Sequence, residues 1–481
     1  MTRTRMTAVA LSALLALGLL ALAVVVNVRS APESASATET TEAPARQPEV
    51  EVDGVATVRL TVPTDDFAAE PAAPCSDLVT STADPQSVDL AVTAANGEEQ
   101  ELDASVRVSA TANPFNGLKR PYAVELADPA SVLGLPASRD WVLLDEFADR
   151  SLLRTASAME LARRLGFDWV PRLVPANLEI NGTPCGLYSF GEAPTAQPGR
   201  AELAADDVLL LADARELEGP RFRTERGLRV YLADADDDVD RQDVAARFQA
   251  VEDLLYDPAF PDNGYRDRID LDSFVDWYLL NELTKNLGSP LYDDVHFVLR
   301  GDDTLAMGPP WDFTASQGNR KNGSWRLDHP KGWWLQRSWY GISDDPAWRR
   351  AFSPSQVWNQ RQGHYFNVLM SDPAFESRVA ERWTEVSEEL GTIGAFVDER
   401  ATVIADDAVD NFSPPEVDGP GLPVAASAFD HDPETFVFAN SDPAVDAREG
   451  WQNEVDLLRG WLERRVAWLD GEFGEQVPSG G

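Results

Sequence analysis

The sequence predicts an α+β fold in which a strand-rich first part precedes a mostly helical second part. Within residues 50–192, apolar and polar residues alternate in Val55–Val62 and in Ser105–Val108, which is the pattern of strands with one buried face. Within residues 193–475, apolar residues recur at helical spacing, which predicts helices that share a core. At 481 residues, the chain is long enough for one large core or for two lobes.

Composition narrows the classes of function. The net charge of −40 predicts a surface that repels nucleic acid and anionic lipid, so we expect no DNA or RNA partner. The sequence lacks a Walker phosphate-binding loop, a G-x-S-x-G nucleophile motif and the paired histidines of a zinc-protease helix. The histidines are scattered instead, at positions His296, His329, His364 and His431.

The N-terminus has the pattern of an export signal. Arg3 and Arg5 precede the apolar run Ala8–Val26, so residues 1–29 are predicted to be a signal peptide or an N-terminal membrane anchor. Because the basic end stays inside, we expect the rest of the chain outside the cytoplasmic membrane, either secreted or held at the membrane. Residues 30–49 lack aromatic side chains and are predicted to form a disordered linker.

The two cysteines, Cys75 and Cys185, are predicted to form a disulfide bond, since an exported protein folds in an oxidising compartment. Two buried free thiols are the alternative. Cys185 lies in a predicted hairpin, Leu173–Phe190, whose turn is Asn181–Gly182. The bond would therefore fasten the N-terminal strands to this hairpin.

Helices are predicted from caps and from periodicity. Asp240 is expected to cap the helix Arg241–Tyr256. Asp270 or Asp272 is expected to cap Leu271–Asn286, a helix predicted to bury one face. The other predicted helices are Asp149–Gly166, Phe352–Leu390, Ile393–Asp410 and Glu454–Phe473, while residues 193–240 are predicted to be irregular and residues 476–481 a tail.

The segment after Asp270 has secondary-structure elements and acidic residues in the order that a phosphoryl-transfer site needs. The helix is followed by an acidic loop with Asp293 and Asp294, then by a predicted hairpin, and then by Asp312. In this order one carboxylate can hold a metal ion from the loop and another can hold it from the end of the hairpin.

The same stretch resembles a known family, the CotH (spore coat protein H) kinase-like proteins. Asn281–Leu287 and Trp311–Asn319 resemble the family's Asn-(Leu/Val)-Asp loop and its Trp-Asp-x-Asp-x-x-x-Gly-Asn box. Lys119–Tyr122 resembles its Lys-Lys-Pro-Tyr segment, and Asn181–Tyr188 its Asn-Gly-x-x-x-Gly-Leu-Tyr strand pair. The segments occur in the family's order, and the resemblance spans residues 100–472.

The resemblance implies an extracytoplasmic atypical protein kinase with a bilobal, kinase-like fold, in which residues 50–192 form the N-lobe and residues 193–475 the C-lobe. Such a protein would bind ATP with Mg²⁺ or Mn²⁺ and transfer phosphate to an envelope or coat protein. Asp293 and Asp312 would hold the metal ion, and Asp312 and Asp294 would act in catalysis.

The resemblance also implies three nucleotide-site residues in the first part of the chain. Lys119 would contact the ATP phosphates and pair with Glu160, while Glu192 would contact adenine or ribose. From the residues alone, the alternatives are a surface lysine for Lys119, an internal ion pair with Arg154 for Glu160, and a solvent-facing side chain for Glu192.

Three positions depart from the family pattern. Gly288 stands where the family usually has the loop Asp, Asp293 stands in place of an Asn, and Thr314 replaces the second Asp of the box. Because Gly288 has no side chain to orient a hydroxyl or bind a metal, Asp294 would have to substitute for it. Two hypotheses follow: an impaired protein kinase, or a catalytically dead pseudokinase that acts as a binding or assembly protein at the cell envelope.

Overall fold

The structure is a computed structural model. The chain divides into residues Met1–Ala45 and a compact unit Arg46–Gly481, and the predicted export signal and most of the linker lie outside the described residues. Within the part that is described, no helix is both long enough and apolar enough to span a membrane. The described residues are 47, 52–63, 75, 79–109, 119–147, 149–197, 199–201, 203–233, 239–288, 291, 293–319, 329–335, 364–412 and 447–476.

The predicted strand-rich part contains a closed barrel. Its strands follow the order β1-β2-β3-β4-β5-β7-β6, and a parallel pair between β1 and β6 closes it, whereas the other neighbours are antiparallel. Alternate residues such as Val58 and Leu60 are buried, as the alternation predicted. The strands are β1 (Ala56–Thr61), β2 (Gln86–Thr93), β3 (Glu99–Val108), β4 (Tyr122–Ala130), β5 (Ser138–Leu144), β6 (Leu173–Ile180) and β7 (Thr183–Glu192).

The β6–β7 hairpin and the disulfide bond are confirmed. Asn181 and Gly182 both have positive φ, 50° and 77°, which a two-residue hairpin turn requires and which these two residue types tolerate. Asn181 also accepts a hydrogen bond from the Val62 amide with its side chain, at 2.8 Å. Cys75 and Cys185 are bonded, so the segment after β1 is tied covalently to β7.

Helices make up most of the second part, and their starts follow the predicted caps. Asp240 accepts hydrogen bonds from the amides of Gln242 and Asp243, and Asp270 rather than Asp272 accepts from the Ser273 amide. The described helices are α1 (Arg154–Leu165), α2 (Arg241–Leu255), α3 (Leu271–Thr284), α4 (His364–Leu369), α5 (Pro373–Leu390), α6 (Ile393–Phe412) and α7 (Ala447–Gln476).

Three of the predicted helices differ from the observed ones. The predicted helix Glu454–Phe473 is longer, since α7 runs from Ala447 to Gln476. Phe352–Leu390 was predicted as one helix, but its described residues form α4 and α5, because Asp372 caps the start of α5 by accepting from the Ala374 amide. The predicted helix Asp149–Gly166 begins later, at Arg154. Asp149 still stabilises this start, since its carboxylate accepts from the Leu153 and Arg154 amides at 2.9 and 2.7 Å.

Residues 193–240 were predicted to be irregular, and this prediction is wrong. Three short strands lie there and join the hairpin after α3 in an antiparallel sheet, in the order β12-β11-β8-β10-β9. The first of them is the continuous apolar run Val-Leu-Leu-Leu-Ala, which shows no alternation because it is central in the sheet. The strands are β8 (Val208–Ala212), β9 (Arg221–Arg223), β10 (Arg229–Leu232), β11 (Val295–Leu299) and β12 (Leu305–Met307).

Helix α3 was predicted to bury one face, but it is buried on all sides from Phe274 to Thr284. It packs against α1, α5, α7 and β12, so its charged side chains need partners inside the protein. Glu282 accepts hydrogen bonds from the Trp334 and Leu335 amides at 2.7 and 2.6 Å and forms a buried ion pair with Arg465. Helix α3 is thus held in place by packing and buried polar contacts, and the acidic loop follows its C-terminal end.

Candidate functional site

The acidic loop after α3 lies beside a carboxylate that the sequence did not suggest. Strands β8 and β11 are antiparallel neighbours in which Val295 pairs with Ala212, so Asp294 lies next to Asp213. The Asp294 amide donates to Asp213 Oδ2 at 3.3 Å. Asp213 was missed because β8 was not predicted, and the signal that could have found it is the apolar run that ends just before this residue.

Arg215 lies among these carboxylates. Its Nη2 is 2.5 Å from Asp213 Oδ2 and 2.7 Å from Asp294 Oδ1, and its Nε is 3.8 Å from Asp293 Oδ1. The Arg215 amide also donates to Asp213 Oδ1 at 2.7 Å. One guanidinium therefore faces three carboxylates.

The electrostatics of this group show excess negative charge. Burial raises the pKa of Asp293 to about 7, with Arg215 opposing the rise and Asp213 and Asp312 adding to it. Burial likewise raises the pKa of Asp294 well above its ordinary value. Burial lowers the pKa of Arg215, but Asp294 and Asp213 outweigh this effect, and the net pKa lies above its usual value. A proton or a further cation would relieve the repulsion.

Asp312 belongs to the same cluster, since its charge raises the pKa of both Asp293 and Asp294. It has a positive φ of 49°, and the Asn286 side chain donates to its carbonyl at 3.1 Å. Thr314 donates to Asp312 Oδ1 twice, from its amide at 3.1 Å and from its hydroxyl at 2.6 Å. Thr314, which replaces the second Asp of the box, thus occupies one carboxylate oxygen of the first Asp, Asp312.

Gln317 fixes the loop after Asp312 to two helices, a role that the sequence did not indicate. Its amide donates to Thr284 O at 2.7 Å, at the end of α3. Its side chain donates to Arg154 O at 2.8 Å and accepts from the Ser157 hydroxyl at 2.6 Å, both in α1. Because Gln317 is fully buried, these bonds hold the Asp312 loop in one position.

Gly288, at the start of the acidic loop, lies close to the backbone of Asp293 in the same loop. A Cβ atom at this position would lie 2.8 Å from the Asp293 carbonyl oxygen, which is closer than side-chain carbons approach oxygen. The Asp293 amide in turn points to Gly288 O at 3.4 Å. The loop has therefore closed over the position where the family usually has an Asp, and a side chain there requires the loop to move.

Lys119 is buried where the barrel meets α6. It is 1% exposed, and its Nζ donates to Leu187 O and, at 3.2 Å, to Asn411 Oδ1. Burial lowers the pKa of Lys119 to about 8, while the charges of Asp145 and Glu146 oppose this shift. The alternative of a surface lysine is therefore wrong.

Glu160 does not form the predicted pair with Lys119. Its carboxylate is bound instead by Arg163 and Arg164 of the same helix, with Arg164 Nε at 2.6 Å. These arginines lie three and four residues further along α1, where they reach Glu160 without any tertiary arrangement. The alternative of an internal ion pair between Glu160 and Arg154 is also wrong, because Arg154 pairs with Asp149.

Glu192 lies at the end of β7 and is fully buried. Arg172 Nη2 and Arg200 Nη1 contact its Oε1 at 2.6 and 2.7 Å, so the alternative of a solvent-facing glutamate is wrong. Its contact with adenine or ribose stays a prediction.

The predicted site residues thus fall into two groups. Asp293 and Asp294 are neighbours in the acidic loop, and Asp312 is near enough for its charge to raise the pKa of both. Lys119, Glu160 and Glu192 lie in the first part of the chain, and each has the separate partners described above.

The donor chemistry of the cluster fits a divalent cation. Its donors are carboxylate oxygens, which Mg²⁺ and Mn²⁺ prefer, and Asp293 Oδ1 and Asp294 Oδ1 are buried without a hydrogen bond to any described residue. Within the described ranges, however, no three His, Cys, Asp or Glu side chains converge closely enough to hold a metal ion. Arg215 and Thr314 also contact oxygens that a cation would use, so binding requires these side chains to rearrange.

Comparison with known proteins agrees with the resemblance in the sequence. The family model described as CotH kinase protein matches residues 116–469. This range is most of the chain, and it contains the acidic cluster, the box loop and Lys119. No curated protein matches the chain. The chain belongs to the CotH kinase protein family.

Proposed function

We propose that this protein is an extracytoplasmic, atypical kinase-like protein that binds ATP together with Mg²⁺ or Mn²⁺ at the cluster of Asp213, Asp293, Asp294 and Asp312. Family membership supports the kinase-like class. The observation that carries the site is the excess negative charge of this cluster, where several buried carboxylates face Arg215. A bound cation supplies the positive charge that phosphate oxygens need during phosphoryl transfer.

Each carboxylate has a distinct place in this proposal. Asp293 and Asp312 would hold the metal ion, one from the loop and one from the segment after β12. Asp294 would take the proton of an acceptor hydroxyl, which requires its carboxylate to be ionised. Burial raises the pKa of Asp294, and a bound cation would favour the ionised form. The acceptor would be an envelope or coat protein, since the chain is proposed to lie outside the cytoplasmic membrane.

The bilobal arrangement is part of the same proposal. The barrel would be the N-lobe, and the helices with the β8–β12 sheet would be the C-lobe. Lys119 supports this arrangement because its Nζ joins β7 of the barrel to Asn411 of α6. To reach a phosphate group, Lys119 would have to exchange these internal partners for the nucleotide.

A pseudokinase that binds or assembles envelope proteins is the second candidate, and two observations favour it. The loop is closed over Gly288, so an acidic side chain would not fit there without movement of the loop. Thr314 occupies Asp312 Oδ1 with two hydrogen bonds, where the family has a second carboxylate. Both features would reduce phosphate transfer more than nucleotide binding, because transfer needs the two missing carboxylates in the transition state.

The test is nucleotide binding followed by phosphate transfer, with the full chain. A thermal-shift assay with ATP and Mg²⁺ or Mn²⁺ should show stabilisation that Asp312→Asn abolishes. The matched control is Asp406→Asn, since the Asp406 side chain is 90% exposed and pairs with Arg448 on the surface. Radiolabel transfer from ATP then separates the candidates: transfer supports the kinase, a shift without transfer supports the pseudokinase, and no shift with either metal refutes both forms of nucleotide binding.

A further inference from the structure

Arg215 is placed as a cation inside the acidic cluster. Its guanidinium contacts both oxygens of Asp213, Oδ1 at 3.0 Å and Oδ2 at 2.5 Å, and Asp294 Oδ1 at 2.7 Å. The Asp294 contact has the distance of an ion pair, yet Asp294 Oδ1 makes no hydrogen bond with a described residue. Charge rather than directed hydrogen bonding therefore dominates this contact, as it does when a metal ion faces a carboxylate.

Hydrogen bonds fix the backbone at Arg215, whereas its side chain is partly exposed to solvent. Arg215 O accepts hydrogen bonds from Arg229 Nη1 at 2.6 Å and from the Tyr231 hydroxyl at 2.8 Å. The Arg215 side chain is 29% exposed, whereas the Asp213 and Asp294 side chains are 0% and 5% exposed. The Arg215 side chain is thus partly exposed to solvent, whereas the two carboxylates that it contacts are buried.

We propose that Arg215 is a resident cation that competes with a divalent metal ion for the acidic cluster, so that the metal ion binds to Asp293 and Asp312 only when the guanidinium has turned out to solvent. This inference rests on the proposed metal binding at the cluster. Arg215 Nε lies 3.8 Å from Asp293 Oδ1, an oxygen of a proposed metal ligand. Two like charges a few ångströms apart repel each other strongly in a partly buried site. Arg215 would therefore set the metal affinity of this protein.

The experiment measures binding of Mn²⁺ alone to the full chain, by the loss of the electron paramagnetic resonance signal of free Mn²⁺. Arg215→Gln removes the competing charge, and we expect it to bind Mn²⁺ at least about tenfold more tightly than the wild type. The matched control is Arg221→Gln, because Arg221 is exposed and pairs with Glu216. This control should bind Mn²⁺ as the wild type does.

A second variant covers the case in which Arg215→Gln does not fold. Arg215→Met also removes the positive charge, and its long unbranched side chain adapts to the space that the arginine leaves. Because the competing charge is absent, we expect tighter Mn²⁺ binding than in the wild type. Equal or weaker Mn²⁺ binding in whichever variant folds would overturn the inference.

Separate ATP titrations distinguish this inference from the proposed function. If the wild type binds ATP with Mn²⁺ but the Arg215 variants gain no Mn²⁺ affinity, the role of Arg215 is wrong and the nucleotide site stands. If the variants gain Mn²⁺ affinity but neither they nor the wild type bind ATP, Arg215 competes with metal as inferred and the nucleotide proposal is wrong.

Discussion

Gly288→Ala is the most informative single change in the acidic loop. The added Cβ would lie 2.8 Å from the Asp293 carbonyl oxygen, so the carbonyl must move by several tenths of an ångström to restore an ordinary contact. Forcing an extra carbon into a packed site costs about 1–3 kcal/mol of stability. We expect the free energy of unfolding to fall by this amount.

The assay is urea denaturation of the full chain, followed by tryptophan fluorescence. The control is Gly471→Ala in α7, where no atom lies within 4 Å of the new Cβ and where Ala should stabilise the helix by up to about 1 kcal/mol. The same substitution should thus have opposite signs at the two positions. If Gly288→Ala left the stability unchanged or raised it, the closed loop described above would be wrong, and Gly288→Asp could restore the family's carboxylate without strain.

Three further predictions concern buried charges and the disulfide bond. Arg465→Ala should lower the free energy of unfolding in urea by about 3–5 kcal/mol, because it removes the guanidinium that forms a buried ion pair with Glu282; a loss below about 1 kcal/mol would contradict the range expected for a buried pair. Burial and then Asp149 raise the pKa of Glu146 from 4.5 to about 8, so between these two pH values the folded protein holds a proton that the unfolded chain releases. The wild type should therefore lose stability through this group as the pH rises across that window, and Glu146→Gln should lose less; identical pH profiles would refute the raised pKa. Cys75→Ser removes the bond to Cys185 and should cost roughly 2–5 kcal/mol, with no further loss on adding a reductant; unchanged stability would show that the bond does not support the fold.

Features with a local cause could be predicted from the sequence. The Asn181–Gly182 turn is one, since the two residues that tolerate positive φ stand side by side. The caps at Asp240 and Asp270 are others, because each bonds to an amide two or three residues away. Membership of the CotH family followed from ordered segments and needed no knowledge of packing.

The composition of the cluster could not be predicted in the same way. Asp213 and Arg215 reach the acidic loop through the pairing of β8 with β11, and Asp213 is 81 residues from Asp294 in the sequence. The predicted Lys119–Glu160 pair failed because two arginines in α1 bind Glu160 instead. In both cases the outcome depended on which partner the fold brings closest, and residue types alone do not specify that.

The most direct test of the central claim is a crystal structure of the full chain with Mn²⁺ and a non-hydrolysable ATP analogue. The anomalous signal of Mn²⁺ locates the metal independently of the protein coordinates. We predict an anomalous peak bound by Asp293 and Asp312, with the Arg215 side chain turned away from Asp213. A map with bound analogue and a metal peak elsewhere, or with no peak and Arg215 still on Asp294, would contradict the claim that this cluster is the nucleotide–metal site.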